Sequence, residues 1–303
     1  MNRFTINQLS YLSGLPDKTI LFWKKKYNAF QDCNLENKPD FKYNTEHLNR
    51  LLNISTLFHL DKKYDLQSIC QLDNDTLQVK VEIELMSNLI KKNLNEDIIN
   101  QLVASCLTYN ETRFNLIIDS AIKKLTISDF YNFILYPFLM RIYETFQANE
   151  EKPVQFFYMK SLLKGKFHYL IECSPNFVDK KSKVLLFLPH GEVNEIGLLF
   201  CNLILKNHGF QTFYIGSNQT ITAVQQAIDD ISPDLIISFI PNNDNIKSYN
   251  ATLESITFDL SKMMILGMDS NLKNIKNTEC TKISKLEEFH IILDEYEQKK
   301  AEV

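Results

Sequence analysis

Between residues 183 and 268 the chain repeats one pattern: KVLLFLP (183–189), QTFYIG (211–216), DLIISFI (234–240) and KMMILGM (262–268) are short apolar runs with a helical stretch between each pair. Runs this short and this uniformly apolar describe strands buried on both faces, and strands alternating with helices close into a parallel sheet covered on both sides. The pattern also predicts a closing helix from Ser284 to about Lys300. Upstream the period is different. From Asp75 to His168, amphipathic stretches with predicted starts at Asp75, Asn95, Asn110, Ser128 and Pro153 run on with few glycines to interrupt them, which describes a helical bundle. A chain of 303 residues exceeds what one core usually organises, so separate domains are expected.

The amino-terminal part has its own signature. In FTINQLSYLS, Phe4, Ile6, Leu9 and Leu12 fall at helical spacing and Gly14 ends the run; Pro16 and Asp17 then restart a helix through TILFWKKKY. Helix, turn and helix within about 25 residues is the size of a helix-turn-helix unit. Residues 28–43 are polar, contain Pro39, and predict a loop or small β-wing, after which Asn44 caps a helix with Leu48, Leu51, Leu52, Ser55, Leu57 and Phe58 in its stripe. Over the first 30 residues Arg3, Lys18, Lys24, Lys25 and Lys26 oppose only Asp17, although the whole chain carries a formal charge of -4. A basic helix, rather than a basic surface, is the candidate for meeting phosphate.

The strings FTINQLSYLSGLPDKTILFWKKKY and FKYNTEHLNRLLNISTLFHL resemble, over residues 3–72, the winged helix-turn-helix domains of the MerR family. The resemblance implies double-stranded DNA as partner, contacts from Lys18, Thr19, Lys24, Lys25, Lys26 and Tyr27 on the second helix and from Lys42 and Tyr43 after the wing, and a homo-oligomer, dimer or tetramer, on two-fold operators. The chain departs from the family at Leu21 and Phe41, where arginines are usual, and at Lys24, where Glu is usual. Without the resemblance, KKK would simply be a solvated helix face.

The first apolar run leads into PHGEVNEIGLLF, placing polar residues where open α/β sheets bind ligands. This segment resembles the acidic-x-His-x-x-Gly loop of cobalamin-binding domains, with Glu192, Asn194 and Gly197 at its marked positions, so the axial histidine is Asn194. An amide oxygen is a poor transition-metal donor beside an imidazole. Ser238 stands in the family's Ser-x-[LT] position, and Gly267 is followed by Met268 where a Gly-Gly pair is usual, so the implied pocket for the nucleotide tail is half marked. His190 precedes the loop and is a weaker candidate ligand. Bundle plus sheet also resembles the light-sensing, adenosylcobalamin-dependent repressors of the MerR family. Their Trp and Glu-His cap positions hold Phe146, Phe156 and Phe157 here. Taken plainly, Glu192 and Glu195 are helix N-terminal carboxylates and the phenylalanines are core.

No GxSxG, P-loop, HExxH or GxGxxG occurs, and His47, His59, His168, His190, His208 and His290 have no metal-ligand spacing, so no catalytic residue, no metal and no enzyme is expected. The six cysteines are scattered singly and no apolar stretch spans a bilayer, predicting a cytoplasmic chain with no membrane partner. The predicted fold class is multidomain α and α/β: a winged helix-turn-helix (1–73), a cap-like helical bundle (74–178) and a flavodoxin-like (Rossmann-like) parallel sheet (179–303). The expected function is MerR-type transcription control, with a degenerate cobalamin-like module serving oligomerisation or another effector and no cofactor, cobalamin being disfavoured. The alternatives are a cobalamin-binding sensor or regulator that holds its cofactor without a histidine ligand, or a protein-interaction module that no longer binds DNA.

Overall fold

Thr5 and Gln8 start the first helix reciprocally: the Thr5 hydroxyl accepts from the Gln8 N–H, and the Gln8 side chain accepts from the Thr5 N–H. Helix α1 (Ile6–Ser13) ends at Gly14, whose φ of 69° lies in the left-handed region. The computed structural model to which these elements belong describes residues 3–31, 41–60, 64–88, 95–147, 153–175 and 182–301. Helix α2 (Asp17–Tyr27) follows Pro16. Strand β1 (Arg3–Phe4) pairs antiparallel with β2 (Tyr43–Asn44), Phe4 opposite Tyr43. Most of the predicted wing, with Cys33, lies outside the described residues. What is described is a two-residue strand returning to the start of the chain.

Contacts divide the chain into Met1–Leu162 and Leu163–Val303. In the first unit α3 (Thr45–Leu60), α4 (Leu66–Gln71), α5 (Asn74–Asn88), α6 (Asn95–Leu107), α7 (Glu111–Ile122), α8 (Ile127–Phe130) and α9 (Tyr136–Gln147) follow, and α10 (Val154–Glu172) begins. A π-turn, Tyr131–Leu135, joins α8 to α9 just ahead of Pro137, which has no N–H to give to a regular ladder. Helix α6 is buried from Asp97 to Leu107, polar residues included. Gln101 therefore finds partners inside: it donates to the Thr56 hydroxyl at 2.8 Å and accepts from Arg113. The amino-terminal helices pack on this bundle, Gln8 Nε2 donating to the Thr145 carbonyl at 3.3 Å and the Arg141–Glu96 ion pair, 2.6 Å long, lying against Gly14.

The second unit is the predicted sheet. Strands β3 (Lys183–Pro189), β4 (Gln211–Gln219), β5 (Leu235–Ile240), β6 (Met263–Gly267) and β7 (Thr281–Ile283) are all parallel in the order β4-β3-β5-β6-β7. That is the 2-1-3-4-5 order of flavodoxin-like sheets. Between the strands come α11 (Ile196–Asn207), α12 (Ile221–Ile231), α13 (Ile246–Ser255) and the short α14 (Asp269–Leu272), with α15 (Leu286–Ala301) last. One face buries Leu185, Phe187, Ile236 and Ile240 against Val224 and Ile228 of α12 and Leu253 of α13, each such side chain contributing about 1.5–3 kcal/mol of burial. The sequence did not mark β7: three residues of Thr-Lys-Ile at a sheet edge make no apolar run. Among the described residues no helix is long and apolar enough to cross a membrane.

Candidate functional site

In a 2-1-3-4-5 sheet the ligand crevice lies outside the carboxyl ends of the first and third strands in sequence order, here β3 and β5. The loop leaving β3 is tied to both neighbouring loops. Asn218, at the end of β4, accepts from the Gly191 N–H at 2.8 Å through its side chain and donates its own N–H to the Glu192 carbonyl at 2.9 Å. Gly191, at φ 86°, leaves room for Asn245: a β-carbon there would lie 2.9 Å from the Asn245 Oδ1. Glu192, 3% exposed, accepts from the Asn194 N–H at 2.8 Å and from Asn245 Nδ2, just before α13, at 3.1 Å. The carboxylate thus spans the switch point.

Glu195 anchors the other end. It is nearly buried at the start of α11, pairs with the Lys164 ammonium of α10, and accepts from the Tyr214 hydroxyl of β4 at 2.7 Å. Burial alone would raise its pKa, but the hydrogen bonds from Lys164 and Tyr214, with the charges of Lys164 and His168, hold it below the ordinary value. Burial, then the bond to Glu195, pushes the Tyr214 hydroxyl well up, so it stays a donor. Between these two fixed carboxylates sits half-buried Asn194, whose carboxamide has no hydrogen-bond partner among the described residues. His190 is exposed in the turn before them.

The remaining marked positions are taken up by the protein. Gly197 faces the Phe239 ring, which a β-carbon would meet at 2.4 Å; Ser238, fully buried, donates to the Phe187 carbonyl at 2.9 Å; Gly267 lies against Ile240, whose Cγ2 and carbonyl oxygen would be 2.5 and 2.6 Å from a β-carbon. They therefore do not fit an inserted nucleotide tail, and position 194 offers no imidazole. The polar loop over the crevice leaves one carboxamide, that of Asn194, without a hydrogen-bond partner among the described residues.

No family model and no curated protein sequence matches the chain. Among solved structures, the monomethylamine corrinoid protein of Methanosarcina barkeri matches over 69% of this chain and 99% of its own, at 16% identity and a TM-score of 0.50. At that identity the likeness is one of fold. Two further structures align too loosely to carry an argument: a cobalamin-binding protein from Desulfitobacterium hafniense DCB-2 (13% identity, 65% of this chain, 98% of that one, TM-score 0.33) and the methanol:cobalamin methyltransferase complex MtaBC of Methanosarcina barkeri (14%, 67%, 80%, 0.28).

This likeness overturns several expectations. It is to a corrinoid protein and not to a DNA-binding regulator, so the MerR-type identity, transcription control, and the partners expected with them, double-stranded DNA and a two-fold oligomer, are not upheld. Disfavouring cobalamin is not upheld either, because the fold shared over 69% of the chain is found in a corrinoid protein. The basic face that prompted the DNA reading is partly used within its own unit. The Lys24 ammonium lies 5.0 Å from the Phe41 ring and 5.7 Å from Tyr43, that of Lys26 lies 5.2 Å from Phe22 and from Tyr27, and Tyr43 is a buried partner of Phe4. Burial lowers the Lys24 pKa. Lys18, Lys25 and Lys42 are exposed, and Thr19 and Tyr27 half-buried.

Of the three aromatic positions, Phe156 is buried against Tyr143, Phe157 is 58% exposed, and the Phe146 side chain lies outside the described residues. Sequence reasoning missed Lys164, Tyr214, Asn218, Asn245 and Phe239. The one legible signal was Asn245 ahead of a helical run; the others are brought in by long-range pairing. It also missed the His208–His290 contact, 3.0 Å across 82 residues; among the described residues no His, Cys, Asp and Glu group is placed to hold a metal.

Proposed function

We propose that the chain is a non-catalytic corrinoid-binding module that holds its cofactor at the β3–β5 crevice without a histidine ligand. The observation that carries this reading is the free Asn194 carboxamide, held between the Glu192 and Glu195 anchors, at the place where cobalamin domains present their histidine. The fold likeness to the monomethylamine corrinoid protein supports it. When bound, the corrinoid would supply the cobalt chemistry; the protein's part is to fix the loop beneath it, with no imidazole to offer at position 194. Buried free thiols at Cys70, Cys106, Cys201 and Cys280 support a reducing, cytoplasmic setting. The α1–turn–α2 unit with the β1–β2 pair supports a winged helix-turn-helix scaffold at the amino terminus, here a packing module on the bundle.

Equilibrium dialysis of the purified chain against hydroxocobalamin tests the proposal. Saturable binding approaching one equivalent is expected with both chain and cofactor in the tens of micromolar. No retention above that of an unrelated protein would refute it.

A further inference from the structure

We infer that a corrinoid bound here keeps its nucleotide tail and base outside the protein, because Phe239 closes the slot between α11 and the sheet. This rests on the corrinoid-binding proposal above. Gly197 lies within the first turn of α11 at an ordinary negative φ, so no backbone conformation demands a glycine there. The demand is steric. The β-carbon of any other residue would meet three atoms of the Phe239 ring at 2.4–2.5 Å, so the ring lies directly on bare helix backbone. A second ring cannot enter a gap already filled to contact.

Phe239 is held in place. Its strand pairs with β6 at Phe239–Leu266, and its carbonyl accepts from the hydroxyl of Tyr249, itself 2% exposed. The polar group beside it is committed too, Ser238 being fully buried and bonded to the Phe187 carbonyl. At the neighbouring strand ends Gly267 is pressed on its register partner Ile240, whose side chain and carbonyl a β-carbon would meet at 2.5 and 2.6 Å. With the slot filled and no imidazole at position 194 to displace it, the base of a bound cobalamin stays on its own cobalt. A corrinoid with no base should bind equally well.

Visible spectroscopy with methylcobalamin and methylcobinamide decides. Methylcobalamin is red with its base coordinated and yellow without it, and methylcobinamide has no base. Bound methylcobalamin is expected to stay red at neutral pH, and methylcobinamide to bind within about fivefold of it, a difference of about 1 kcal/mol. A yellow bound form, or a larger preference for methylcobalamin, would overturn the inference. Phe239→Ala opens the slot and should raise that preference at least tenfold; an unchanged ratio in the folded variant would remove Phe239 from the explanation. Should the variant not fold, the colour and ratio of the unaltered protein decide alone. If neither corrinoid binds, the corrinoid proposal itself fails.

Discussion

Single residues at the crevice show how a motif position can change chemistry and keep its scaffold. Glu192 was legible as an acidic motif position and also as an ordinary helix-start carboxylate. The structure gives it a different task, bonding the Asn194 N–H and Asn245 across the switch point. Removing the Asn245 amide leaves a carboxylate oxygen short of a partner in a buried site, which costs about 1–3 kcal/mol. Asn245→Ala should therefore destabilise the second unit by that amount in chemical denaturation and speed hydrogen exchange at the Asn194 amide. A second residue, Asp97, was unmarked by the sequence. It is 1% exposed on α6 with His59, 3.3 Å away, facing its charge, and burial, helped by the neighbouring Glu96, pushes its pKa up to about 6 despite that pairing. An acid whose folded pKa is raised binds its proton more tightly in the folded state. Its contribution is therefore greatest below the ordinary carboxylate range and declines as pH rises towards 6. Asp97→Asn should flatten that decline and stabilise the first unit at pH 7 by about 1–3 kcal/mol. Urea unfolding followed at Trp23, the chain's single tryptophan and buried in that unit, measures this.

Elements were legible where the period was strong. The four apolar runs all became strands: β3, β5 and β6 are buried along nearly their whole length, while β4, at the sheet edge, is only partly covered yet keeps the same apolar period. Strand β7 and the π-turn were not legible, since one is a three-residue edge and the other a local response to Pro137. Glycines test the packing of these elements. Gly267→Ala drives a methyl group into the Ile240 side chain and carbonyl, so β5 and β6 must part, and such overpacking costs about 1–3 kcal/mol. Gly165 lies exposed in α10 with nothing within 4 Å of a β-carbon. Gly165→Ala should stabilise by about 0.5–1 kcal/mol through helix propensity alone. Thermal unfolding of the two variants should move in opposite directions.

At the scale of the whole molecule, the order of helical stretches before a parallel sheet was readable from periodicity, and the two units bear that order out. Function was less readable. A helix-turn-helix spacing with three lysines resembles a DNA reader whether or not the lysines face outward, and two of them rest on aromatic rings of their own unit. The missing histidine was visible, yet the sequence could not show that the Asn194 carboxamide has no hydrogen-bond partner among the described residues on a fixed loop, or that the Phe239 ring packs against Gly197. The measurement that reaches the central claim most directly is the electron paramagnetic resonance spectrum of the protein with one equivalent of cob(II)inamide, for which any nitrogen donor besides the corrin ring must come from the protein. The account predicts a bound signal without nitrogen superhyperfine splitting, and splitting on Asn194→His. A split signal from the unaltered protein, or a signal identical to free cob(II)inamide, would contradict it.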